Sequence, residues 1–180
     1  VSGGLDSSLI AAIANSFSDK KLKTFSIGMK GSIDLEYAKT VADFIQTDHA
    51  QIEIKESEFL GAIETVIYNI ESFDITTIRA SIGNYLVSRY IKENSDCKVI
   101  FNGDGSDEVC GGYLYMMNAP TPEIFQEETL RLLNQIYLFD VLRSDRSISS
   151  NGLEARTPFL DKTFVEFYLS IPPELKVFNN

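Results

Sequence analysis

Apolar positions along this chain switch between two periods. Leu9, Ile10, Ala12 and Ile13 recur at helical spacing after a short opening run of glycines, hydroxyls and one acid. Thr24-Phe25-Ser26-Ile27-Gly28 reads as a short buried strand. Leu35, Ala38, Val41, Ala42 and Ile45 then mark one face of a helix from about Asp34 to Ile45, and Gln51-Ile52-Glu53-Ile54 alternates like a strand. Phe59, Ala62, Ile63, Val66, Ile67 and Ile70 predict a single amphipathic helix. Another helix is expected from about Arg79 to Lys92. Lys98-Val99-Ile100-Phe101 is a strand that runs into a glycine-rich loop, and the remainder reads as mainly helical up to Pro172-Pro173.

Strands alternating with helices predict an α/β fold: a doubly wound parallel sheet with helices on both faces, followed by a mainly helical C-terminal part. Ligands in such folds bind beyond the carboxyl ends of the strands. Functional loops should therefore follow strands. No internal repeat or low-complexity segment interrupts the alternation.

Composition narrows the picture. A chain of 180 residues suits one domain with a real core. The net charge of −10, from 16 basic and 26 acidic residues, argues against a nucleic-acid surface. No apolar run reaches membrane length and no signal peptide is evident, so no membrane partner and a cytoplasmic location are expected. Cys97 and Cys110 have neither metal-ligand nor CxxC spacing and read as buried thiols in a reducing compartment. The chain opens on Val1, with almost no strand before its first loop, and stops at Asn179-Asn180. It is expected to be a fragment of a larger enzyme, truncated at both ends.

The first loop carries the sharpest chemistry. Ser2-Gly3-Gly4-Leu5-Asp6-Ser7-Ser8 precedes a helix. Glycines let backbone approach an anion, and a helix N-terminus directs N–H groups at it. Asp6 would repel phosphate unless a divalent cation lay between them, which argues for Mg²⁺. The loop is not a Walker motif, because no lysine occurs before Lys20. A second loop follows the strand ending at Phe101: Asn102-Gly103-Asp104-Gly105-Ser106-Asp107-Glu108, then Gly111-Gly112-Tyr113. So many carboxylates in one tight loop repel one another unless a cation or a substrate ammonium is present. Asp107 could share Mg²⁺ with Asp6, and Asp104 could face an ammonium or a reacting carboxylate.

Ser-Gly-Gly-Leu-Asp-Ser resembles the pyrophosphate loop of the ATP pyrophosphatases, which have HUP/Rossmann-like folds. Thr24 to Met29, Asp74-Ile75-Thr76-Thr77-Ile78-Arg79-Ala80-Ser81 and Gly105-Ser106-Asp107-Glu108 follow in order. Gly112 to Tyr115, Tyr137 to Arg143 and Gly152 to Asp161 extend the match. This order is similar to that of the glutamine-hydrolysing asparagine synthetases across essentially the whole chain. It is closer to the eukaryotic type than to the sister β-lactam synthetases.

The resemblance implies ATP-dependent amide synthesis: aspartate to asparagine through β-aspartyl-AMP, with release of AMP and pyrophosphate. Ammonia would come from glutamine in an N-terminal glutaminase domain absent from residues 1–180. A homodimer is left open. Ser2, Gly3, Gly4, Asp6 and Ser7 would hold pyrophosphate, with Asp6 and Asp107 on Mg²⁺. Ile27, taken as the strand end, would meet adenine, and Asn102 and Gly103 would contact the nucleotide. Thr76, Thr77 and Arg79 would lie near aspartate or the intermediate, with Arg79 and Asp104 in catalytic roles. The alternatives are a β-lactam-synthetase-like enzyme acting on another carboxylate, or a nucleotide-binding fragment without catalysis.

The chain departs from that family at the second loop. The usual Ser-Gly-Glu-Gly becomes Asn102-Gly103-Asp104-Gly105. The acid is one methylene shorter, and a deficit of about 1 Å matters where geometry sets the rate. A downstream lysine that stabilises charge in the family has no counterpart here, and neither cysteine maps onto the glutaminase nucleophile.

Other residues carry structural expectations. His49 reads as structural or exposed. Arg143, Asp145 and Arg146 suggest an ion-pair network, and Glu154 and Arg156 an architectural pair. Tyr113 to Met117 reads as core.

Overall fold

A computed structural model describes residues 1–177. In chain order the elements are α1 (Leu5–Ser16), β1 (Lys23–Met29), α2 (Ile33–Phe44), β2 (Asp48–Ile54), α3 (Glu56–Gly61), α4 (Ile63–Ile70) and α5 (Ile75–Asn94). There follow β3 (Val99–Phe101), α6 (Ser106–Cys110), α7 (Pro122–Gln135), α8 (Asp140–Ser149), β4 (Glu154–Arg156) and α9 (Lys162–Ser170). They form two compact units. The first comprises Val1–Asn102 with Arg143–Arg156. The second comprises Gly103–Leu142 and the segment from Thr157 onward.

The α/β character of the first unit follows the apolar pattern. β1 and β2 pair in parallel, from Lys23 opposite Asp48 to Met29 opposite Ile54, with α2 as the crossover. Leu35, Ala38 and Ala42 on α2 are buried, on the face that the periodicity selects. β3 and β4 form a second parallel pair, with Val99 opposite Glu154 and Phe101 opposite Arg156. Among the described residues the strands form two separate two-stranded parallel sheets, a mixed α/β arrangement that does not by itself establish the expected doubly wound sheet. On β1, the Phe25 carbonyl accepts a hydrogen bond from the Val1 amino group at 2.7 Å.

Two more boundaries differ from expectation. The amphipathic run from Phe59 to Ile70 breaks at Ala62, whose N–H turns back to the Phe59 carbonyl in a tight i−3 bond. The apolar stripe survives the break. Ala62, Val66 and Ile70 bury together with Ile82 and Leu86 of α5. β4 lies in a stretch that reads as helical; three residues are too few for a periodic signal, and only pairing with β3 reveals them. Glu154 and Arg156, two apart and so on one side of that strand, form an exposed ion pair.

A second apolar cluster joins Ile91, Ile148 and Leu153, with Phe25 and Ile100 packed against it. Arg146 of α8 binds the Ile70 carbonyl and Glu71 (3.3 Å) at the C-terminal end of α4. A cation there suits the negative end of the helix dipole. Arg146 is therefore structural, as its charged neighbourhood suggests. Cys97 and Cys110 remain thiols, and both are half-buried rather than buried. No described helix is long and apolar enough to cross a membrane.

His49 sits half-buried on β2 between two hydroxyls of β1. Nδ1 lies 2.9 Å from Thr24 Oγ1 and Nε2 lies 3.0 Å from Ser26 Oγ. Burial, with smaller contributions from the Val1 amino group and Lys39, holds the imidazole below its ordinary value of 6.5. The folded state therefore favours neutral His49. Its contribution to stability is complete above the unfolded value and is lost as pH falls through the depressed folded value. The chain has one histidine, so His49→Gln should flatten the fall in the urea midpoint between about pH 7.5 and about pH 5.5. A midpoint that falls equally in parent and variant would refute this.

Candidate functional site

In the first unit, the opening loop is built from its own hydroxyls. Ser2 N–H donates to Ser7 Oγ (3.0 Å), the two Oγ atoms lie 3.0 Å apart, and Gly4 N–H donates to Ser2 Oγ (3.2 Å). Ser8 Oγ–H donates to the Gly4 carbonyl at 2.6 Å. Ser2 and Ser7 thus brace the turn before they meet any anion. Gly4 is the cap residue of α1, and no side chain caps that helix. Its first-turn N–H groups are the donors that helix geometry leaves over. Half-buried Asp6 sits in the same turn.

Gly3 has a second reason to be glycine. Its φ is +83°, and a β-carbon there would lie 2.7 Å from the Tyr37 carbonyl carbon and 2.8 Å from the Ala38 nitrogen. The loop is pressed against the backbone of α2. Close approach to the protein, as well as to an anion, requires the missing side chain.

Ile27 is not at the end of its strand, which runs on to Met29. Its side chain packs against the Val66–Ile70–Ile82 cluster. Only its backbone is thereby left for the expected adenine contact.

Thr76, Thr77 and Arg79 lie on the first turns of α5, which starts four residues earlier than the periodicity suggests. Asp74 caps the helix through a 2.7 Å bond from Thr77 N–H. That bond, followed by the Thr77 hydroxyl, holds the Asp74 carboxyl below the ordinary carboxylate range. Thr77 is buried, and its carbonyl accepts from Ser81 Oγ at 2.7 Å. Thr76 and Arg79, three residues apart, share an exposed face. The structure therefore joins Thr76 with Arg79 and turns Thr77 inward. Asn102 closes β3. Its N–H donates to the Arg156 carbonyl (3.1 Å) and its Nδ2 to Ser144 Oγ (2.7 Å), so its amide already has protein partners.

In the second unit, glycines bracket α6. Gly103 accepts from Ser106 N–H at 3.3 Å. Gly105 has φ +90°, with the Leu160 side chain where a β-carbon would go, and Gly111 has φ +71° against the Phe125 ring. Asp104 and Asp107 are half-buried. The Asp107 carboxylate lies over Gly112, in space that any side chain at Gly112 would fill. Gly112 N–H donates to the Asp107 carbonyl at 2.9 Å.

Glu108 is the acid left without a role by the sequence. It is 4% exposed, and its Oε1 accepts from the Tyr113 hydroxyl. Burial pushes its carboxyl up, the Tyr113 bond opposes this, and the nearby Asp140 carboxylate adds to it. Burial and then Glu108 also push the Tyr113 hydroxyl up. The crowding of acids that implied a cation is thus relieved in part by sending one of them inward. Nothing in Ser-Asp-Glu marks this acid as buried, and its tyrosine partner lies five residues on. Tyr113 to Met117 is not core as a whole: Met116 is buried, while Leu114 is 81% exposed.

Among the described residues no group of three or more histidine, cysteine or acidic side chains could hold a metal by itself. A metal here would need ligand oxygens from substrate. Asp6 in the first unit and Asp107 in the second each offer the hard carboxylate oxygen that Mg²⁺ takes, with phosphate and water filling its octahedron.

A protein-family model described as asparagine synthase matches residues 1–124 and 117–180. The chain is 49% identical, over 100% of its length, to the human asparagine synthetase (glutamine-hydrolysing). Identity is 48% to the mouse protein and 49% to the chicken protein of that name, each over 100% of the chain. The chain spans about a third of the length of these curated relatives, 33% in each.

Gly3→Ala tests the pressed loop. Strain at a positive φ, added to overlap with the α2 backbone, should lower stability by about 1–3 kcal/mol. A urea midpoint equal to that of the parent would contradict the packing role.

Proposed function

The chain belongs to the asparagine synthase family, and from that premise we propose that it forms part of the ATP-dependent, amide-forming domain of an asparagine synthetase. The observation that carries this reading is the first turn of α1. A glycine cap without a side chain, a hydroxyl-braced loop and Asp6 stand together at one helix N-terminus. That set suits an anionic leaving group accompanied by a divalent cation.

In the proposed reaction, a β-carboxylate oxygen of aspartate attacks the α-phosphorus of ATP. The bond from that phosphorus to the bridging oxygen breaks, and pyrophosphate leaves. Ammonia then attacks the acyl carbon of β-aspartyl-AMP; AMP departs with the bonding electrons, and nitrogen gives up one proton as the amide forms. Ser2, Gly3, Gly4 and Ser7 hold the departing pyrophosphate. Asp6 and Asp107 would hold Mg²⁺, which would supply charge neutralisation when bound. The Ile27 backbone, Asn102 and Gly103 meet the nucleotide. Arg79, with Thr76 and Thr77 on the same helix end, binds the substrate anion, and Asp104 serves formation of the intermediate. The parent sheet is doubly wound, of the HUP/Rossmann-like type, and contains both parallel pairs. Glutamine-derived ammonia comes from an N-terminal glutaminase domain outside residues 1–180, and the location is cytoplasmic.

One feature favours a second reading. Asp104 is shorter than the glutamate usual in this loop, and a changed reach at that point could suit a different carboxylate substrate.

Full-length protein supplied with ATP, Mg²⁺, aspartate and ammonia should release pyrophosphate and form asparagine. Turnover only with another carboxylate supports the second reading. ATP binding without pyrophosphate release refutes both and leaves a binding module. Separately, Asp6→Ala should abolish Mg²⁺-dependent turnover, and unchanged turnover would remove Asp6 from the metal.

A further inference from the structure

The turn after α6 holds both of that helix's acids. Gly112 N–H anchors the Asp107 carbonyl, and the Asp107 carboxylate rests over the Gly112 backbone. The next residue, Tyr113, reaches back to the following acid, Glu108. The Tyr113 ring stacks on Tyr115, with centroids 5.9 Å apart, which limits its swing. α6 has only five residues and left-handed glycines at both ends. The Tyr113–Glu108 link closes a loop between residue 108 and residue 113 that contains Gly112, and Asp107, held by the Gly112 N–H, is the residue immediately before it.

We propose that Tyr113 and Glu108 are positioning residues, whose hydrogen bond ties the turn at Gly112 to α6 and so aims the Asp107 carboxylate at its cation. This rests on the reading of Asp107 as a metal ligand. Neither residue touches the metal. Their effect is to reduce the freedom that Asp107 loses on binding, as partners behind a metal ligand do.

Mn²⁺ serves as the probe, because it takes the same oxygen ligands as Mg²⁺. It is titrated into full-length protein with inorganic pyrophosphate, and free Mn²⁺ is read by electron paramagnetic resonance. Tyr113→Phe keeps the stacked ring and removes only the hydroxyl. Its Mn²⁺ dissociation constant should rise about 10-fold or more, alongside some fall in the thermal midpoint because Glu108 stays buried without that partner. Tyr115→Phe, one aromatic neighbour away, should bind Mn²⁺ like the parent. Glu108→Ala should lose affinity, and Glu108→Gln, which still offers the tyrosine an acceptor oxygen, should recover most of it. Asp107→Asn separates the two levels of the argument. If it weakens Mn²⁺ binding and Tyr113→Phe does not, the positioning role is overturned while the metal reading stands. If Asp107→Asn binds like the parent, the metal reading fails and the positioning role with it. Should Tyr113→Phe not fold, the Glu108 pair decides: equal affinity in Glu108→Ala and Glu108→Gln overturns the proposal.

Discussion

The geometry of both loops depends on backbone passing where no β-carbon fits. At Gly3 the chain lies against the backbone of α2, and backbone cannot rotate out of the way as a side chain can. At Gly105, Gly111 and Gly112 the occupied space belongs to Leu160, Phe125 and Asp107. Each corner converts ordinary packing into a fixed loop path. At Gly3 that path brings the donors of α1 to the surface without a cap, and at Gly112 it gives the Asp107 carboxylate room. The acids and hydroxyls supply the chemistry, and the glycine corners determine where it stands.

The loops and their order were legible in the sequence because they are local. Gly-Gly before an apolar helical run, and glycines alternating with acids after a strand, carry their meaning within a few residues. β1, α2, β2 and α5 were legible through periodicity, with boundaries shifted by a few positions. What escaped depends on contacts between distant parts of the chain. β4 exists because Ala155 lies opposite Ile100. The break at Ala62 leaves the apolar stripe intact, so no pattern marks it. Thr76 and Thr77 look equivalent in a string, yet the Asp74 cap turns one inward and leaves the other exposed. The inward course of Glu108 needed a tyrosine five residues later, a spacing that belongs to no regular period.

Asn102 shows how a family difference can be absorbed. Its Nδ2 donates to Ser144 on α8, and its N–H joins the β3–β4 ladder through Arg156. The longer amide reaches a buried hydroxyl and braces the point where β3 leaves the sheet. Asp104, two residues later, begins from that braced position. The two departures from the usual loop sequence are therefore adjacent in effect: one steadies the base of the loop, and the other shortens its acid.

The first unit is discontinuous, and this has a consequence for synthesis. β1 meets β2 across a short crossover, so that pair can close soon after it leaves the ribosome. β3 must wait for β4, with the whole span from Gly103 to Leu142 made in between. Val99 and Phe101 are exposed even in the finished ladder. During that interval β3 lacks its β4 partner, and an unpaired strand edge is the condition under which strands recruit wrong partners. Elongation rate over those forty or so codons, rather than final stability, would then set how much nascent chain is lost to misassembly.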